Sequence, residues 1–201
     1  MRRKTDAVDM AKLISACTSP LQRDSMHVFA EILVRKQYKK GSVLLNEGDT
    51  CNRMLFIEKG MLRQYYFKKG KDMTEHIAYE HCIVMCIESY FLEEPTRLMI
   101  EALENTVVWE IPKEKVEKLI DQYEDIERMY RKFLEVSLID SQKKADQLRF
   151  ESAQERYLKL KQSHPEILRR APLVYIASFL QMTPETLSRV RSLDLLHSDS
   201  E

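Results

Sequence analysis

Residues 171–192 read APLVYIASFLQMTPETLSRVRS, and the organisation of the C-terminal part of the chain turns on this stretch. Pro172 suits a first helical turn, where its missing amide is not needed, and Leu173, Ile176, Ala177 and Leu180 then recur at i, i+3, i+4 and i+7. That spacing predicts one short amphipathic helix. After Gln181-Met182, Thr183 offers an N-cap hydroxyl, Pro184 a proline at the first helical position and Glu185 an acid for the positive end of the helix dipole. A second helix therefore begins at once. Two short helices joined so tightly must cross steeply; the small Ala177 permits the approach, and Leu187 and Val190 face inward. This is the pattern of a helix-turn-helix.

With Leu187 and Val190 inside, the outer face of the second helix, expected over about 183–192, presents Pro184, Glu185, Ser188, Arg189 and Ser192. Arg189 has the planar fork that pairs with guanine O6 and N7, and Glu185 accepts from a cytosine amine, so Pro184, Glu185, Ser188 and Arg189 are the candidate base readers. Arg169, Arg170, Thr183, Thr186 and Arg191 are the candidate phosphate contacts, together with the amides at the helix start. Between Arg156 and Ser192 lie seven basic residues and two acidic ones, in a chain whose 32 basic and 32 acidic side chains otherwise cancel. A polyanionic partner would thus meet a local basic surface rather than a global field. Two helices of an ordinary bundle with a solvated Arg-rich face fit the same letters.

Upstream, Ser152-Ala153-Gln154-Glu155 is a capping-box pattern that opens another helix, which must stop near Ser163 because the residue before Pro165 avoids the α region. Before that, residues 124–148 are rich in helix formers and span roughly 37 Å at the α-helical rise. Ile126, Met129, Tyr130, Phe133, Leu134, Val136 and Leu138 cover an arc of roughly 200° on that helix, wider than one interface needs. The reading is that one edge packs on its own chain, while the other meets an identical helix through Ile126, Met129, Tyr130, Phe133 and Val136. A single broad intrachain core helix is the alternative.

All four glycines, Gly41, Gly48, Gly60 and Gly70, fall in one window. From 42 to 111 the runs SVLLNEGDT, RMLFIEKG, MLRQYYF, DMTEHIAYE and TVVWEIP predict short strands, with tight turns at Glu58-Lys59-Gly60 and at Lys68-Lys69-Gly70-Lys71. An antiparallel all-β unit follows. KEKVEKLIDQ then predicts a short helix at 113–122.

Composition sets the outer limits. Four glycines in 201 residues leave no GxGxxG or GxxxxGK phosphate loop. No apolar run reaches the ~18 residues of a membrane span, and the acids near the start do not suit a secretory signal, so a cytoplasmic protein is expected, away from membranes. Cys17, Cys51, Cys82 and Cys86 lack the dense spacing of a disulfide scaffold and are read as reduced thiols. His76, His81, Cys82 and Cys86 do not match a zinc or iron–sulfur spacing, so no metal site is expected. No nucleophile elbow, HExxH or carboxylate pair with a candidate histidine is present, and an enzyme is not expected.

A glycine-punctuated β unit, a long helix and a C-terminal helix-turn-helix, in that order, resemble the Crp/Fnr family of bacterial transcription regulators. The strongest stretches are LLNEGDTCNRMLFIEKGMLRQYY at 44–66, which looks like the first strands of that family's cyclic-nucleotide-binding-type β roll, and TPETLSRVR at 183–191, which looks like its recognition helix. The resemblance implies an α+β fold: helices and a jelly-roll, cyclic-nucleotide-binding-like β roll over 1–122, a long dimerisation helix over 123–149 and an all-α helix-turn-helix domain over 150–201. It also implies a homodimer on a palindromic double-stranded DNA site, with half-sites about one helical turn apart, and RNA polymerase as a further partner. Pro184 stands where the cyclic-AMP-responsive members carry another arginine, so the DNA target should differ from theirs.

The resemblance fails at the nucleotide site. The family uses a Gly-Glu pair for the ribose and an Arg-Ser pair for the cyclic phosphate, whereas Met85-Cys86 and Thr96-Arg97 stand at those positions. Arg97 falls one place late and would point to the other face of a strand. Tight cyclic AMP binding is therefore not expected, nor is any cofactor. A different effector could enter a more apolar pocket near Met85, Cys86, Ile87, Thr96, Arg97, Leu98 and Ile100. Many relatives flank the two helices with a small β hairpin, but only LDLLHSDSE follows the expected recognition helix, so no wing is expected. The alternative function is a cyclic-nucleotide-binding-like module that acts through protein partners without DNA.

Overall fold

Ser152 and Glu155 form the expected capping box: Glu155 N–H donates to Ser152 Oγ at 3.3 Å, and Ser152 N–H to Glu155 Oε2 at 2.7 Å. The computed structural model describes residues 2–198, with side chains over 6–194. In chain order the elements are α1 (Arg2–Ala16), α2 (Arg23–Ile32), β1 (Val34–Tyr38), β2 (Val43–Leu45), β3 (Arg53–Lys59), β4 (Leu62–Lys68), β5 (Lys71–Ala78) and β6 (Ile83–Val84). They continue as α3 (Ile87–Leu92), β7 (Met99–Ala102), β8 (Thr106–Pro112), α4 (Lys113–Ile120), α5 (Glu124–Phe150), α6 (Ala153–Ser163), α7 (Pro165–Arg170), α8 (Leu173–Phe179) and α9 (Pro184–Ser198).

The strands form two four-stranded antiparallel sheets, ordered β1-β8-β3-β6 and β2-β7-β4-β5, which make a β roll. Between β4 and β5 the two-residue loop Lys69-Gly70 has φ of +52° and +75°, the doubly left-handed geometry that matches strand twist. Gly60 is required for space as well as φ: at +107°, a Cβ there would come within 2.4–2.8 Å of Thr106. The strand window reaches further back than the glycines suggest. β1 precedes residue 42 and is an edge strand with a solvated middle, so VRKQY lacks the alternation that marks a half-buried strand.

One apolar cluster fills the roll and includes α1, α2, Val116 of α4 and the first turns of α5, where Ile126 and Met129 are sealed. The carboxylate of Asp125 ties α2 to α5 by accepting from Gln22 N–H at 2.7 Å and from the Ser25 hydroxyl. This corrects the reading of α5. Ile126 and Met129 belong to the chain's own core and cannot meet a second copy, while Tyr130 and Phe133 are half-buried against that core. The exposed large apolar residues of α5 are Val136, Leu138 and Ile139, further along the helix, and Phe150 at its end.

A second cluster joins Tyr157, Leu160, Ile167, Ile176, Ala177, Leu180, Leu187 and Val190 of the C-terminal helices to Met61, Ile77 and Leu103 of the roll. The C-terminal helices therefore pack on the outer face of the β2-β7-β4-β5 sheet, with α8 against β5. Among the described residues no helix is long and apolar enough to cross a membrane.

Candidate nucleic-acid interface

The joint between α8 and α9 is built from local hydrogen bonds. Leu180 N–H bonds back to Ile176 O at 3.0 Å and Met182 N–H to Ala177 O at 2.9 Å, while Gln181 takes the left-handed φ of +52° that a glycine adopts without strain. Thr183 then caps α9, its Oγ1 accepting from Thr186 N–H at 3.2 Å. Ile176, Ala177, Leu180, Leu187 and Val190 are buried together as the spacing requires. Leu173 is the exception: it is half exposed at the first turn of α8.

Pro184, Glu185, Ser188, Arg189 and Ser192 all lie on the exposed side of α9, along with Thr183 and Arg191; Thr186 is half-buried. The helix does not end near residue 192 but continues to Ser198, since Leu193 and Asp194 contain no breaker and Asp194 pairs with Lys161 of α6 at 2.6 Å. LDLLHSDSE is thus largely helical over its described part.

Electrostatics revise the basic surface. Arg156 donates to the carbonyls of Leu180 at 2.9 Å and Glu151 at 2.6 Å, Lys159 pairs with Glu151 and Lys161 with Asp194. Arg169 is exposed and pairs with Glu166 at 2.6 Å. Arg170, grouped with Arg169 as a phosphate contact, turns instead to the roll. Its NH1 and NH2 meet Glu80 Oε2 and Oε1 at 2.7 and 2.9 Å, its NH2 also meets Glu104 Oε1, and its Nε lies 3.4 Å from Glu104 Oε2. Phosphate cannot reach Arg170 in this arrangement. Of the seven basic residues, Arg156, Arg189 and Arg191 have no carboxylate partner among the described residues, and Arg156 is taken up by the two backbone carbonyls.

The roll face beneath these helices carries residues that the sequence did not single out. Arg63 of β4 is 2% exposed, pairs with Asp72 at 2.6 Å and Glu101 at 2.5 Å, and lies 3.5 Å from the centroid of the Tyr175 ring in α8. Thr74 N–H donates to Ser178 Oγ at 2.8 Å, Tyr79 Oη lies 3.0 Å from His164 Nδ1, and Lys144 pairs with Glu75 at 2.6 Å. Glu80 is anchored from the roll side by Gly60 N–H at 2.7 Å. Burial works against its ionisation, but the Arg170 and Gly60 bonds outweigh that and bring its carboxyl down to about 2. No local motif marks these residues, because every partner except Asp72, nine positions from Arg63, lies 20 or more residues away in the chain.

The region expected to hold an effector is closed. Met85 and Cys86 are buried, and Gln64 Nε2 donates to Met85 O at 3.0 Å and to Cys86 Sγ at 3.5 Å. Thr96 is buried and its Oγ1 accepts from Leu98 N–H at 2.9 Å, whereas Arg97 and Ile87 are exposed and Leu98 is half-buried. Two small hollows, one between Ile14, Phe29, Met54 and Met129, the other between Leu44, Cys51, Leu55 and Ile100, are each about 10 Å³. Either holds a water at most. All four cysteines are free thiols, and the described residues contain no group of three or more potential metal ligands.

Residues 35–123 match the cyclic nucleotide-binding domain family. No protein of curated function matches the sequence. Among solved structures, FixK2 from Bradyrhizobium japonicum is similar with a TM-score of 0.68 at 19% identity, over 84% of this chain and 86% of that one. A protein from Eubacterium rectale assigned to the Crp/Fnr family of transcriptional regulators gives 0.66 at 18%, over 88% and 85%. CLP, the c-di-GMP responsive global regulator of Xanthomonas campestris, gives 0.65 at 16%, over 89% and 93%. At these identities the likeness establishes a shared fold.

Proposed function

From a chain that carries a cyclic nucleotide-binding domain at 35–123 and has the fold of Crp/Fnr transcriptional regulators, we infer a sequence-specific regulator that binds double-stranded DNA. It acts as a homodimer and reads a palindromic site through α9. The observation that carries this reading is the exposed row Glu185, Ser188 and Arg189 on a helix that begins at a Thr183 cap, with its apolar side sealed by Leu187 and Val190. That geometry leaves one edge of a rigid helix free to enter a major groove, with the helix-start amides aimed at a phosphate. The exposed Val136, Leu138 and Ile139 of α5 are the surface on which a second copy packs. The β roll serves as an effector or scaffold domain that does not bind cyclic AMP tightly.

Selection of bound fragments from a random DNA pool tests the reading: a two-fold symmetric consensus is expected. Arg189→Ala should relax base preference at one position per half-site, at about 1–3 kcal/mol, while wild-type affinity falls steeply with salt. The pairing of Arg156, Lys159, Lys161, Arg169 and Arg170 favours a second reading, a platform for protein partners. Failure of any duplex to be retained at low ionic strength would decide for that platform.

A further inference from the structure

The joint between the roll and the C-terminal helices contains two arginines that differ in kind, Arg63 buried and Arg170 half-buried. Arg63 keeps its partners, Asp72 and Glu101, on the same sheet, so its ion pairs survive any movement of the helices. Arg170 is held across the joint. It closes α7, whereas Glu80 follows β5 and Glu104 lies in the turn between β7 and β8. Together with Glu166 Oε2 at 3.4 Å, these carboxylates engage all three guanidinium nitrogens. Each roll carboxylate presents two oxygens to the fork, as a phosphodiester presents its two non-bridging oxygens. The side chains of Arg170, Glu80 and Glu104 are 19%, 29% and 36% exposed, so separation would hydrate every charge rather than strand one in a dry core.

We propose that Arg170 is a phosphate-binding residue held in reserve, its guanidinium occupied by Glu80 and Glu104 of the roll in place of the DNA backbone. Packing of the helical unit on the roll and phosphate contact by Arg170 then exclude each other, and removal of the two carboxylates transfers the residue to DNA. The recognition edge of α9 is exposed in the packed arrangement, so base reading does not wait on this exchange; backbone engagement does. The proposal rests on the DNA-binding reading above.

The test uses the full chain, a mixed-sequence duplex and the variants Glu80→Gln/Glu104→Gln and Glu80→Gln/Glu104→Gln/Arg170→Ala. Affinity is measured across a salt series. The double variant should show a log–log salt slope steeper by about 0.9 for each added phosphate contact, with binding several-fold tighter at low salt, and the triple variant should return to the wild-type slope. A second readout needs no DNA: amide exchange at Thr74, whose N–H is bonded to Ser178 across the joint, should accelerate in both variants while the core amides of β3 and β8 stay protected. An unchanged slope in a double variant that still binds DNA overturns the proposal and leaves the DNA reading standing. Accelerated Thr74 exchange with no DNA retained by any protein overturns the DNA reading, and the reserve role of Arg170 with it.

Discussion

The guanidinium of Arg63, in β4, lies 3.5 Å from the centroid of the Tyr175 ring in α8 and 4.0 Å from that of Tyr65 on its own strand, so one desolvated cation is shared between the roll and the C-terminal helices. A double-mutant cycle with Arg63→Met and Tyr175→Leu should return a coupling of about 1–2 kcal/mol in urea denaturation, the range of a buried cation–π contact. Strict additivity would mean that the two rings and the cation merely adjoin.

The Glu80–Arg170 pair gives the joint a pH profile. Because the Glu80 carboxyl is brought from 4.5 down to about 2 in the folded protein, its contribution is complete above about pH 4.5 and disappears as pH falls toward 2. The difference in melting temperature between wild type and Glu80→Gln should be constant at higher pH and shrink to nothing over that interval. A difference that persists at the acid end would assign the effect to packing.

Gln181 holds a left-handed φ of +52° at the joint between α8 and α9. Gln181→Gly should relieve about 1 kcal/mol of backbone strain, which corresponds to a rise in melting temperature of about 2–4 °C for a chain of this size. An unchanged or lower melting temperature would show that the strain is offset by the entropy that glycine regains on unfolding.

Gln64, bonded to Met85 O and Cys86 Sγ, fills the space between β4 and the start of α3, and Arg97 faces solvent. Calorimetric titration with cyclic AMP should give no binding in the micromolar range, because Arg97, the cation nearest in sequence to the expected phosphate position, faces solvent and the buried Arg63 is already paired with Asp72 and Glu101. A micromolar or tighter dissociation constant would require both the packing and the register of Thr96-Arg97 to change.

What the residues alone determined is what each segment settles within a few positions of itself. Ser152 and Glu155 close a capping box over three residues, Thr183 caps α9 over three more, and Lys69-Gly70 turns one hairpin by its backbone torsions; none of these depends on the rest of the chain. The tight joint between α8 and α9 and the exposed row on α9 were legible for that reason, and so was the presence of a glycine-turned β unit. The tertiary structure decided which charges and which apolar residues remain available. Arg170 reads as a free cation beside Arg169 until the fold places Glu80, 90 positions away, against it. Likewise the apolar stripe of α5 is continuous in sequence, yet Ile126 and Met129 are sealed by the roll while Val136, Leu138 and Ile139 are left to solvent. Ion pairing and burial are sums over neighbours brought together by long-range packing, and no local spacing encodes them.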